Sequence, residues 1–116
     1  MTHSVSSDAS LKGILVAAPM SIGLTRQRVF SWVNRWMVDL LGYPESELIG
    51  QSARMLYESD QEFERVGSVK YSKVNEGKMG EVQTRWCCRD GHIIDVLLRS
   101  VAINPLNLDE GVIFTG

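Results

Sequence analysis

Cys87 and Cys88 are the only cysteines among 116 residues, and they are adjacent. In a strand, successive side chains point to opposite faces, so this pair makes a poor disulfide. Metal-binding spacing such as C-x-x-C is absent. The only histidines, His3 and His92, lie far apart, near an end and a turn. Two reduced structural thiols and no metal site are expected, in keeping with a reducing compartment. Catalysis by acid and base needs titratable groups that converge. No Ser/His/Asp or paired-carboxylate constellation is visible, so no enzyme activity is expected of this stretch. Trp32, Trp36 and Trp86 have the chemistry for an aromatic cage around a flavin ring or an organic cation. Core and helix–sheet packing is the expected role for them.

The elements that must position these residues follow from periodicity. Gly80 to Arg89 and His92 to Asn104 read as two strands joined by Asp90-Gly91, a hairpin signal. Val82, Thr84, Trp86 and Cys88 make one row of the first strand, opposed by the charged row Glu81, Gln83, Arg85, Cys87 and Arg89. The uncharged row faces inward, because unpaired buried charge is costly. In the second strand Ile94, Val96, Leu98, Ser100 and Ala102 form the inward row. The other row holds Asp95 and Arg99, but also Ile93, Leu97, Val101 and Ile103. That row is too apolar for a wet surface, and an N-terminal helix or a partner subunit is expected to cover it. Pro105 prevents the strand from continuing in a central position.

Upstream, Ile22-Gly23-Leu24 and Val29 to Val33 read as short strands around Thr25-Arg26-Gln27. Asn34 is placed to cap a helix whose apolar stripe is Trp36, Met37, Leu40 and Leu41. Gly42 suits a left-handed C-terminal cap, and Pro44 permits a new first turn with Glu45 and Glu47 at its positive end. Gly50 closes that short helix. Ser52 to Tyr57 reads as another helical piece. Ser59 and Glu62 fit a capping box that opens a longer helix with Phe63, Val66, Lys70 and Val74 along one side, ending near Asn75-Glu76-Gly77. Residues 1–8 are polar. Ser7 or Asp8 can cap a short helix carrying Leu11, Ile14, Leu15 and Ala18, which needs a surface to lie on.

The wording N-x(7)-GY-x-x-x-E-L-I-G, from Asn34 to Gly50, resembles the segment after the second strand of PAS domains. Ala18-Pro19 resembles the family's opening, Arg85 to Gly91 its D-G hairpin, and Asp109-Glu110-Gly111 the turn into its last strand, Val112-Ile113-Phe114. The resemblance implies an α+β PAS fold, a five-stranded antiparallel sheet with helices on one face and a short N-terminal helix. It implies a tail and flanking helix over residues 1–16 and a PAS sensory domain over 17–116, cut in or just after the last strand. The first hairpin departs from the family, which usually turns on a D-x-G-like sequence. By resemblance the inward rows line a ligand concavity, with Met55, Tyr71, Thr84, Trp86, Cys88, Ile94, Val96, Leu98, Ser100 and Phe114 as candidates. A plain apolar core is the competing reading.

Against flavin photosensors of the LOV type, Gly50 to Tyr57 aligns with their reactive segment. Ala53 stands where the adduct-forming cysteine belongs and Ser52 where the asparagine belongs, so the photochemical adduct is not expected. Arg54 matches the arginine those domains set against flavin phosphate and is a possible ligand anchor. Pairing with Glu58 or another carboxylate is its competing role. No histidine occurs between His3 and His92, which argues against histidine-ligated haem.

Composition bounds the rest. Hydrophobic residues make up 44% and charged residues 22%, ordinary for one globular domain. A net charge of −2 offers no footprint for nucleic acid. No apolar run approaches the roughly 20 residues of a membrane span, and the N-terminus lacks a secretory pattern. The expectation is a cytoplasmic, homodimeric signal-input module. Its parent protein would be a diguanylate cyclase or a sensor histidine kinase, and its ligand a small molecule not identified by the sequence. A ligand-free dimerisation module is the alternative.

Overall fold

In the computed structural model, residues 19–116 are described. The helix expected over Leu11 to Ala18 lies outside them. Strands β1 (Ile22–Arg26), β2 (Val29–Val33), β3 (Gly80–Cys87), β4 (Ile93–Ala102) and β5 (Val112–Thr115) form one sheet. Its order is β2-β1-β5-β4-β3, and all neighbours are antiparallel. Helices α1 (Arg35–Leu41), α2 (Glu45–Leu48) and α3 (Asp60–Val74), with a 3₁₀ turn at Ala53–Leu56, connect β2 to β3. The expected α+β sheet-and-helix architecture is present.

Local signals set most element ends. Asn34 is buried, and its Oδ1 accepts from the Met37 and Ile22 amides at 3.1 Å each while Nδ2 donates to the Met20 carbonyl at 2.9 Å. One side chain thus caps α1 and ties it to the start of β1. Gly42 ends α1 at φ 78°, where any Cβ would be strained. Ser59 accepts from the Glu62 amide and caps α3. The Glu62 carboxylate does not complete the capping box; it turns to Arg65 and Thr84.

The first hairpin differs from its sequence reading. β1 continues through Arg26, and the turn is the two residues Gln27 and Arg28, at φ 52° and 62°. Both positive angles fit the twist of a two-residue hairpin, a geometry glycine and asparagine usually supply. Helix α1 also departs. Met37 and Leu41, one turn apart, are buried, but Trp36 and Leu40 are 45% and 40% exposed. A seven-residue helix lying on the sheet's end presents one narrow line to it, and residues displaced by one position face outward.

The inward rows are buried as alternation required. Val82, Thr84 and Trp86 on β3 and Cys88 just after it join Val96, Leu98 and Ser100 on β4 and Phe114 on β5, with Phe30, Met37, Leu48, Leu56 and Val66 closing the core. On the opposite face Ile93, Leu97, Val101, Ile103 and Ile113 are each about two-fifths exposed. Among the described residues nothing covers them.

Candidate functional site

Between α3, the 3₁₀ turn and the inner sheet face lies a cavity of about 20 Å³. It is lined by Thr25, Phe30, Ala53, Leu56, Tyr57, Lys70, Trp86, Leu98 and Phe114. That volume admits about one water-sized group. The aromatic wall is built from Phe114, with Trp86 edge-on at 6.1 Å and Phe30 tilted at 6.0 Å. A wider groove of about 540 Å³ beside Leu40, Cys88 and His92 is an open cleft.

The polar side of the cavity is cationic. Lys70 is only 5% exposed and lines it. Its position is set by α3: Val66, Lys70 and Val74 recur at four-residue spacing, and all three are buried. The ammonium sits 5.1 Å from the Tyr71 ring centroid. Arg28 reaches the same neighbourhood from the β1–β2 turn. Its guanidinium lies 3.5 Å over the Phe63 ring and rests on α3 at Gly67, where a Cβ would come within 2.7 Å of its Nη1. Removal from water and the nearby Arg28 charge lower the Lys70 pKa to about 8. Burial raises the Tyr57 and Tyr71 phenols, an effect partly offset by Trp86 and Arg28 at Tyr57 and by Arg28 and Thr25 at Tyr71.

The ion pairs among the described residues include neither Lys70 nor Arg28, and neither Arg26 nor Lys73. Thr25 Oγ1, Arg28 Nε, Trp86 Nε1 and Ser100 Oγ are buried without a well-formed hydrogen bond. Each of these can donate. Of these, only Thr25 and Trp86 line the cavity, and they lie close enough to the Tyr71 and Tyr57 hydroxyls to lower their pKa values.

Of the residues singled out from sequence, Trp86, Leu98 and Phe114 line this cavity. Val96 and Ser100 are buried on the same inward row of β4. Thr84 is buried too, but its hydroxyl donates to Glu62 at 2.6 Å. The Cys88 thiol is turned to the Leu40 carbonyl at 3.6 Å, and Ile94 lies with it beside the open groove. Met55 and Tyr71 are half-buried at the margins. Arg54 is held outside the cavity, bonded to Asp60 and to the Tyr57 carbonyl. Its partner is thus Asp60, while Glu58 pairs with Arg85 at 2.8 Å. Thr25, Phe30, Ala53, Leu56, Tyr57 and Lys70 line the cavity and were not among the sequence candidates. For Lys70 a signal existed: one cation on an otherwise apolar stripe of α3.

Comparison with known proteins agrees with this architecture. A model of the PAS fold matches residues 12–106. The PAS domain of a Colwellia psychrerythraea protein superposes with a TM-score of 0.82 at 24% identity, covering 94% of this chain and 93% of that one. The PAS domain of a LuxR-family transcriptional regulator from Burkholderia thailandensis, solved in complex with ethanol, superposes at 0.77 with 23% identity, covering 90% and 92%. A domain of a sensory box sensor histidine kinase/response regulator from Geobacter sulfurreducens gives 0.78 at 12% identity, covering 98% and 96%. No curated protein matches the chain.

Proposed function

The chain belongs to the PAS fold family, and from that premise we propose that it is a non-catalytic signal-input module that converts occupancy of its inner cavity into a change in subunit packing. The observation carrying this is strand β4. Leu98 lines the cavity, while its neighbours Leu97 and Val101 stand on the exposed apolar face. One rigid strand therefore belongs to both surfaces, and a ligand that shifts its position biases whatever packs outside. The natural occupant of the outer face is a second copy of the chain, because Ile93, Leu97, Val101 and Ile113 make a self-complementary apolar strip.

Among the described residues no helix is long and apolar enough to cross a membrane, which is compatible with a cytoplasmic domain. The output would be a diguanylate cyclase or a histidine kinase; the Geobacter relative belongs to a kinase of that kind. That the Burkholderia relative holds ethanol supports a small molecule as the input. The small cavity, about 20 Å³ as it stands, favours a second reading, a dimerisation module with no ligand.

Native mass spectrometry of freshly purified protein, with its absorption spectrum, tests the proposal. A co-purifying small molecule on a dimer is the expected result. Leu97→Asp should yield folded monomer. A wild-type monomer at micromolar concentration would sink the packing mechanism, and a dimer indifferent to every added metabolite would favour the structural module.

A further inference from the structure

Arg28 does not line the inner cavity, but it ties together the elements that enclose it. Its carbonyl accepts from the Ala53 amide at 2.8 Å, at the start of the 3₁₀ turn. Just upstream the Gly50 amide donates to the Phe30 carbonyl and the Phe30 amide to the Gln51 carbonyl, so residues 50–53 are zipped to the outer edge of β2. The Arg28 guanidinium lies 3.5 Å over the Phe63 ring of α3, and that ring meets the Tyr57 ring at 5.7 Å. Ala53, Leu56 and Tyr57 are three of the nine residues that line the cavity. The contact is both fitted and costly. A Cβ at Gly67 would come within 2.7 Å of Nη1, so the guanidinium occupies space that glycine leaves open on α3. Arg28 also holds φ at 62°, which a residue with a Cβ disfavours, and its charge lies near enough to Lys70 to repel it. Attraction to one aromatic face thus works against backbone strain and like charge, the balance of a contact that can let go.

The cavity admits about one water-sized group as it stands, whereas signal input needs a ligand. We propose that the Arg28 side chain is a clasp: seated between Phe63 and Gly67 it holds the 3₁₀ turn closed on the cavity, and its release lets Ala53, Leu56 and Tyr57 move outward and widens the cavity for a small apolar molecule. The walls that stay behind, Phe30, Trp86, Leu98 and Phe114, are aromatic or aliphatic, which sets the ligand class. This deepens the signal-input reading and rests on it. Only the fraction of molecules with the clasp open binds, so the apparent affinity is the intrinsic affinity reduced by that fraction. Whatever loosens Arg28 therefore tightens the ligand, and the ligand in turn holds Arg28 loose.

The test is amide hydrogen exchange and an NMR titration of the full chain with benzene as the probe. Gly67→Ala pushes the guanidinium out with one methyl group and places a better helix former in α3. Arg28→Asn removes the guanidinium, and asparagine tolerates the left-handed turn. In each variant, exchange of the Ala53 and Tyr57 amides should speed up roughly tenfold more than that of Phe114 in the central strand β5. Each should also tighten benzene, read at the Trp86 indole resonance, by roughly tenfold. Equal acceleration at all three amides would mean loss of global stability and overturn the clasp. Benzene bound with the same affinity by wild type and both variants would overturn it while leaving a ligand sensor in place. No saturable shift in any of the three proteins, together with a clean apo dimer in native mass spectrometry, would remove both.

Discussion

Helix α3 carries two polar clusters on the side that faces the sheet, and their difference separates scaffold from candidate site. Near its start, Glu62 accepts from Arg65 at 2.7 Å through both oxygens and from the Thr84 hydroxyl at 2.6 Å, and Arg65 also donates to the Gln83 carbonyl. Every charge there has its complement, and the hydrogen bonds from Arg65 and Thr84 hold the Glu62 carboxyl at a pKa of about 2. Two turns on, Lys70 is buried with the Arg28 charge near enough to help lower its pKa, and the ion pairs among the described residues include neither. Paired charge at the rim of a core positions a helix. Charge buried inside one without a carboxylate is a cost to the fold.

The comparison can be broken at four points. Trp86→Ala removes a wall of the Lys70 cavity and should destabilise by about 3–5 kcal/mol, read by chemical denaturation. A near-neutral effect would mean that the indole, 2% exposed here, is not packed as described. Lys70→Met should do the reverse and stabilise the ligand-free protein at pH 7 by on the order of 3 kcal/mol. The sign follows from the lysine's titration. The unfolded chain keeps its proton up to about 10.5 and the folded one only to about 8, so the penalty is full below pH 8 and relieved as pH rises toward 10.5. The advantage of the variant should therefore shrink across that window. Constant advantage at pH 7 and pH 10 would assign it to packing instead.

Glu62→Gln at the paired cluster should cost up to about 1 kcal/mol at pH 7, because the ion pair with Arg65 is largely open to water. Its depressed carboxyl contributes stability above pH 4.5 that is lost as pH falls toward 2. The acid-denaturation midpoints of wild type and variant should converge over that range. Smallest of all, Arg54→Ala loses only a surface pair with Asp60 and one carbonyl contact, and should change the melting temperature by about 1–2 °C.

Legibility in the sequence followed the range of the interaction. Asn34, Gly42 and Ser59 act on amides within a few residues, so their roles could be read from spacing. The inward rows of β3 and β4 could be read from two-residue alternation, because a charge on the wrong side is prohibitive. The Gln27-Arg28 turn could not, since neither residue prefers positive φ and the strands on either side impose it. Nor could the exposure of Trp36 and Leu40, which depends on how α1 lies against the end of the sheet. Arg54 matched a ligand-contacting position by alignment, yet its neighbour Asp60 takes it.

The sequence by itself determined the sheet-and-helix order, the inner and outer faces, and the apolar row on the outer face. These rest on local periodicity and on the cost of burying charge. Only the tertiary structure decided where the cavity lies and which residues line it. Lys70 looks like one cation on an apolar stripe and Arg28 like a turn residue. Folding α3 across the sheet buries Lys70 and brings the Arg28 charge near enough to lower its pKa.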